Sequence, residues 1–356
     1  ASNGVTWEVS KKKDIGIDLV MFNQKFSMTV DYFDDKNTGI YMARNFLPAI
    51  TGLESSPRAN VGVARKRGFD GNASFHQKFG KDWDLTVRGN ITYYKNEVLE
   101  RDEANNVYAY QNLTGYRVDQ ERGLIALGLF KDYDDIRNSP KQNYGTVQPG
   151  DIKYKDLNGD GKINGGDGTL ANHGDLKVIG NVLPRYEYSF HLGGSWKGID
   201  LDLFFQGVGK RDIWTTSSFV FPMAQPQDLQ LFSNLTKYNV YDPENGNVNI
   251  SEDNDYPCLW PGVSAAGKVP ALASAGGNNN FYPQSKYLVH MSYLRLKNVT
   301  LGYTLPQSLV RKAYIQNLRV YASVDNLWLL HKGNGNLPLD PEINTGVGSY
   351  GNAVWG

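Results

Sequence analysis

The residues with the clearest chemistry lie in one stretch, Asp156-Leu157-Asn158-Gly159-Asp160-Gly161-Lys162-Ile163-Asn164-Gly165-Gly166-Asp167. Asp156, Asn158 and Asp160 alternate as oxygen donors, Gly161 permits a sharp turn, and Lys162 offers a backbone carbonyl. This is the donor order of a loop that wraps a hard cation. Ile163 is the apolar residue that pins such a loop, Asn164 adds a further oxygen, and Asp167 closes the set where a glutamate is usual. The shorter carboxylate loosens bidentate coordination. The spacing predicts a structural calcium site made of Asp156, Asn158, Asp160, Lys162, Asn164 and Asp167, with the ion stiffening a long loop. A turn rich in Asn, Asp and Gly that binds nothing is the alternative, because these residues favour loops on their own account. No helical pattern flanks the stretch, which argues against a sensor switch.

No catalytic set accompanies it. The chain has neither a GxSxG nor an HExxH pattern. His76, His173, His191, His290 and His331 stand singly, and Cys258 has no partner cysteine for a disulfide or a ligand pair. Acidic clusters such as Asp132, Asp134 and Asp135 are ordinary in loops. A glycosidase needs only two carboxylates that meet in space, so spacing alone leaves that reading open. The expectation is no catalytic residue, no organic cofactor and no enzyme activity.

Charge narrows the partners. Lys plus Arg number 37 and Asp plus Glu also 37, so no net field gathers polyanions, and nucleic-acid binding has no electrostatic basis. Tyr (22), Phe (15) and Gly (38) are abundant, a mixture suited to strands and turns. The longest apolar run, Leu124 to Phe130, falls far short of the roughly 20 residues of a membrane helix. Any membrane crossing must therefore use strands. A mean hydropathy of -0.48 does not oppose that, because a barrel wall alternates apolar and polar faces and carries polar loops.

The elements that must position these residues alternate with period two. Ile15, Ile17, Leu19 and Met21 lead through Asn23-Gln24 into Phe26, Met28, Val30 and Tyr32. A second hairpin joins Gly71–Gln77 to Leu85–Tyr93 through Gly80-Lys81-Asp82-Trp83. A third runs from Tyr186 to Trp196, turns at Lys197-Gly198 and returns from Ile199 to Phe205. A fourth pairs Leu294–Tyr303 with Leu318–Val324, and its phase slip at Lys297-Asn298 predicts a β-bulge. Long polar stretches at 34–70, 95–183 and 208–286 separate the hairpins. Short links within pairs and long loops between them are the asymmetry of an outer-membrane barrel. A soluble β-sandwich, such as a secreted calcium-stabilised adhesin or glycan-binding module, shares the alternation but rarely carries loops of this length. In the last long stretch Trp214, Phe219, Phe221, Trp260 and Tyr282 suit either stacking on a ligand or a small core of the loop itself.

Several stretches together carry a family resemblance. Gln148-Pro149-Gly150-Asp151-Ile152-Lys153-Tyr154-Lys155, running into the calcium-type loop, resembles the signature loop of SusC/RagA-type TonB-linked outer-membrane proteins. Trp7-Glu8 with Asp14–Asp18 and Asp31-Tyr32-Phe33 resembles a hairpin of that family, as do Gly180–Tyr186 with Asp200–Gly207. Tyr293–Tyr303, Val320–Leu327 and Asp340-Pro341-Glu342 resemble its closing strands. The resemblance implies an all-β fold, part of an antiparallel transmembrane barrel of about 22 strands. It also implies residence in the outer membrane of a Gram-negative bacterium, in outer-membrane lipid. The implied activity is uptake of an oligosaccharide or peptide, energised by TonB and shared with a SusD-like surface lipoprotein. The family's TonB box, plug and final strand have no counterpart in the sequence. Residues 1–356 are therefore expected to be one barrel portion of a longer protein.

Overall fold

A computed structural model describes residues 4–44, 57–103, 112–145, 147, 151–166, 174–214, 282–286, 288–335 and 339–342, with backbone alone at 238–242, 247–249 and 256–259. Asp167, His173, Phe219, Phe221 and Trp260 lie outside the described residues, and Cys258 lies in a segment described by backbone alone.

Eight strands form one sheet. They are β1 (Val9–Met21), β2 (Phe26–Ala43), β3 (Arg58–Phe79), β4 (Trp83–Glu100), β5 (Tyr186–Trp196), β6 (Ile199–Gly209), β7 (Tyr293–Thr304) and β8 (Arg319–Lys332). Their spatial order is their chain order, and every neighbouring pair is antiparallel. Chain-ordered hairpins of this kind build a meander that closes only by curling round on itself.

Each expected hairpin is present and in the expected register, with Ile15 opposite Tyr32 and Trp196 opposite Ile199. The turns explain why. Lys197 and Gly198 both have positive φ, 48° and 89°, the handedness that matches the twist of the flanking strands. Asn23 (φ 55°) and Gly80 (φ 65°) serve the first two hairpins similarly. The fourth connection is longer, and holds the short helix Gln307–Val310 and the turn Arg311–Ala313. The predicted bulge is there: the β7–β8 register shifts between Leu296 and Asn298, which leaves Lys297 unpaired, and β6 shifts opposite it between Phe204 and Phe205.

The strands run further than their apolar alternation. β2 extends to Ala43, β3 begins at Arg58, and β4 reaches Glu100, inside stretches read from sequence as loop. The reason is physical: beyond Tyr32 and Tyr93 both faces of the ribbon carry charged or polar residues, so hydrogen-bonded pairing continues where hydrophobic alternation has stopped.

At the edge opposite the short turns, the long connections fold together. Leu124, Ile152, Tyr154, Ile163, Trp214 and Met291 form a buried cluster, with Leu124, Ile152 and Ile163 at 0% exposure. Three pairings tie its segments to one another, Ala126–Leu129 with Ile152–Tyr154, Lys141-Gln142 with Lys162-Ile163, and Gln120–Gly123 with Lys177–Asn181. The main buried core thus lies among the loops. Among the described residues the eight strands make one continuous sheet, and every other sheet holds only two or three strands.

Candidate functional site

The wall comes first because register sorts its side chains onto two faces. One face reads, across β1 to β5, Ile15, Tyr32, Phe69, Tyr93 and Tyr186, each directly opposite the next. Phe69 and Tyr93 have ring centroids 5.4 Å apart, and Tyr93 and Tyr186 5.1 Å. Near the short turns the same face carries a second row, Trp83, Trp196, Ile199, Tyr303 and Val320, in which the two indoles stack at 5.5 Å. Between the rows lie Leu85, Val87, Ile91, Leu192, Leu203 and their neighbours, with no charged side chain.

The spacing of the rows has a physical meaning. β5 runs the full distance from Tyr186 to Trp196, 11 residues. At about 3.3 Å per residue this is roughly 33 Å along the strand. A tilt of about 40° reduces it to roughly 25 Å, the height of the apolar band of an outer-membrane barrel between its aromatic girdles. The side chains in it are exposed, Ile17 by 60% and Leu301 by 55%.

The other face is polar. Arg319 binds Asp200 in a bidentate pair, and His191 meets Asp202. Asn90 accepts from Ser189, and Thr29 donates to Asp18. Gly302 and Gly193 leave room here: a Cβ at Gly302 would sit 2.5 Å from the Asp200 carboxylate. Near the loops, Arg295, Lys297 and Tyr293 bind Asp340 and Glu342. The Asp-Pro-Glu segment is thereby held against this face. Among the described residues the histidines do not gather. His191, His290 and His76 each meet one carboxylate, Asp202, Asp212 and Asp84 respectively.

The calcium-type loop has the local geometry its sequence requires. Asp156 accepts N–H bonds from Gly159 (2.6 Å) and Gly161 (2.9 Å), Asn158 from Asp160 (3.0 Å), and Asp160 from Lys162 (2.8 Å). Gly159 and Gly161 have φ of 75° and 77°, where a side chain would be strained. Ile163 anchors the loop in the buried cluster. Asp156, Asn158, Asp160, Lys162 and Asn164 thus lie on one tight coil of chain. Among the described residues no three His, Cys, Asp or Glu side chains converge. The available donors are the oxygens of two Asp, two Asn and a carbonyl, a hard-oxygen set that fits calcium in kind.

Two residues that sequence reading missed hold this loop. Asp175 is fully buried, and its two oxygens accept from Leu157 (2.7 Å) and Asn164 (2.9 Å), which ties the loop's two ends together. Burial pushes its carboxyl above the usual range; the N–H donors of Asn164 and Leu157 oppose that, and the nearby Asp156 carboxylate adds to it. Gln142 acts as a strand surrogate, donating to the Ile152 carbonyl (3.0 Å) and accepting from the Tyr154 N–H (2.8 Å). Neither belongs to a local motif, so no spacing points to them. Of the loop aromatics, Trp214 and Tyr282 pack on the buried cluster.

Relatives agree with this architecture. The chain is 24% identical to TonB-dependent receptor P3 of Formosa agariphila over 97% of its own length and 31% of the relative's. It is 23% identical to TonB-dependent receptor SusC of Bacteroides thetaiotaomicron, over 97% of this chain and 31% of that one. This chain is a homologue of the SusC-type TonB-dependent receptors. It spans about a third of the length of the curated relatives it matches. No family profile matches it. Among solved structures, the RagAB peptide importer in its open-open state superposes with a TM-score of 0.66 at 22% identity, over 98% of this chain and 34% of that chain. The RagAB peptide transporter gives 0.62 at 21%, covering 94% and 33%. The fold is therefore part of a SusC-type barrel, with the uncharged face outward and the polar face toward the lumen.

Two outcomes test the SusC-type wall and its loop. Leu203→Arg, between Leu192 and Val299 in the middle of the band, is expected to cost about 2–4 kcal/mol in equilibrium unfolding of the receptor from lipid vesicles. Gln206→Arg, on the lumen face, should cost far less, and equal costs would contradict the assigned faces. Asp175→Ala leaves the partly buried N–H groups of Leu157 and Asn164 without this acceptor, a loss of up to about 1–3 kcal/mol for each group. Hydrogen exchange in the receptor should speed up at 156–166 and stay unchanged in β3 and β4.

Proposed function

We propose that this chain is a barrel portion of an outer-membrane TonB-dependent receptor that imports an oligosaccharide or a peptide. The observation that carries this reading is the pair of aromatic rows bounding an uncharged outward band of membrane height, on a sheet with short turns at one edge and long folded loops at the other. Among the described residues no helix is long and apolar enough to cross a membrane. Strands are the remaining spanning element, and their backbone groups are satisfied by their neighbours.

The polar face suits passage of a hydrated solute. Its carboxylates, guanidinium groups, amides and hydroxyls offer many weak hydrogen bonds, which hold a peptide or sugar without trapping it. The folded loops supply a rigid rim for substrate and for a SusD-like lipoprotein. Energy would come from TonB through a plug and TonB box outside residues 1–356. Relatives named SusC and RagAB peptide importer support the substrate classes and the lipoprotein partner.

In the same reading, Asp156, Asn158, Asp160, Lys162, Asn164 and Asp167 hold calcium. The ion contributes charge neutralisation and stiffness at the loop. Its proximity would also relieve the repulsion between Asp156 and Asp175.

High-salt and carbonate washing of outer membranes that contain the complete receptor is expected to leave it in the pellet, and protease added to intact cells should cut within 150–168. Release into the wash would contradict the membrane reading, and cleavage seen only after lysis would contradict the outward placement of the loops. For the ion, elemental analysis of the purified receptor is expected to find bound calcium that disappears in Asp156→Ala/Asp160→Ala. Unchanged calcium content in that variant would remove the site.

A further inference from the structure

The outward face changes character above the tyrosine row. Continuing the same register toward the loops, Lys13 stands opposite Asp34, Asp34 opposite Arg67, and Arg67 opposite Lys95. One step further, Lys11 stands opposite Lys36, Lys36 opposite Arg65, and Arg65 opposite Glu97. Two rows therefore hold six cations, Lys11, Lys13, Lys36, Arg65, Arg67 and Lys95, against two carboxylates, Asp34 and Glu97. The carboxylates are already engaged. Arg65 holds Asp34 in a bidentate pair, with Nε at 2.7 Å, and Glu97 lies 3.9 Å from Arg67 and 3.6 Å from Lys95. Lys11, Lys13 and Lys36 are exposed and form no ion pair among the described residues. In a chain whose charges balance overall, 37 to 37, this patch is a local excess.

Its height matters as much as its sign. Each row is two residues beyond the last, about 6.6 Å along the strand and roughly 5 Å in height at a barrel tilt. The two rows therefore lie about 5 and 10 Å above the aromatic girdle, at the level of lipid headgroups and not of acyl chains. They lie on the loop side, which in a barrel of this asymmetry faces the outer leaflet.

We propose that the outward face of β1–β4, at Lys11, Lys13, Lys36, Arg65, Arg67 and Lys95, binds the phosphate groups of a glycolipid in the outer leaflet. The proposal rests on the barrel reading and adds a lipid partner to it. The acyl chains of such a lipid lie against Ile15, Ile17 and Tyr32 directly below, so one molecule meets apolar wall and cations together. A soluble anion would gain only the exposed cations, which salt screens. Juxtamembrane cations of this kind bind anionic headgroups through summed, screened attraction.

The test uses the complete receptor extracted from outer membranes in mild detergent, with the retained phosphorylated glycolipid measured per receptor by mass spectrometry. Lys11→Gln/Lys13→Gln/Lys36→Gln/Arg67→Gln is expected to retain about tenfold less or lower still, and a version with arginine at the three lysine positions should retain the wild-type amount. Wild-type retention should also fall as sodium chloride rises, a measurement that needs no variant. Full retention by the glutamine variant, or retention indifferent to salt, would overturn the proposal. Carbonate resistance and heat-modifiable migration are measured on the same preparations. A folded, membrane-resident variant with undiminished glycolipid overturns the lipid site alone, whereas release of the wild type by carbonate overturns the barrel reading beneath it.

Discussion

A backbone that enters hydrocarbon must satisfy every N–H and C=O from within the protein, because lipid offers no replacement for water. The rest of this structure depends on that constraint. The antiparallel ladder from β1 to β8 meets it for the strands inside the sheet, each of which has a neighbour on both sides. Once the ladder is in place, side-chain parity leaves no freedom: a one-residue slip of β4 against its neighbours would send Tyr93 to the lumen and Thr92 to the lipid. The two aromatic rows and the polar lumen face are thus consequences of one register held across all eight strands. The bulge at Lys297, which lies opposite Phe204 and Phe205, keeps it in phase through β7.

The same ladder supports the loops. β2, β3 and β4 continue well past the tyrosine row, so the long connections begin from a stiff hydrogen-bonded rim instead of from the membrane surface. Their own stability has a different source. A buried cluster around Leu124, Ile152 and Ile163 supplies the hydrophobic term, and Gln142 and Asp175 satisfy backbone groups that short strands leave open. The calcium-type loop is joined to both through Ile163 and Asp175. Its shape is set by Asp and Asn side chains bonded to the loop's own N–H groups.

Much of this was legible in the sequence, and the limits have physical causes. Alternation at Ile15–Met21, Tyr186–Trp196 and Leu294–Tyr303 identified strands because one face of each meets an apolar medium. The turns at Asn23 and Lys197-Gly198 were legible from residues that tolerate positive φ. The phase slip at Lys297-Asn298 was legible because a bulge displaces the alternation by one. The strand extensions at Asp34–Ala43 and Arg58–Gly68 were not, since no single-faced apolar medium surrounds them and the pattern carries no period. The tight turn at Asp156–Asn164 was legible because its Asp, Asn and Gly spacing is local. Asp175 and Gln142 act from outside that spacing, and only the folded chain brings them to it.

The sorting of charge follows from the same register. Equal numbers of acids and bases would leave a randomly folded surface neutral everywhere, yet the outward face holds none in the band and an excess of bases just above it. On the lumen face Arg319 and Asp200 form an ion pair. A charge on the band would cost several kcal/mol, whereas one near the interface costs little. Lys13 and Arg67 sit one step beyond that boundary. Side chains of this kind join an apolar stem to a charged head, which suits the boundary between an apolar band and a headgroup layer. Basic residues at this level favour the depth at which the aromatic rows meet the two interfaces and oppose any slide of the sheet toward the lipid interior. The wall is therefore positioned by two independent terms, amphipathic rings at both edges and cations at one, and the second makes its two ends inequivalent.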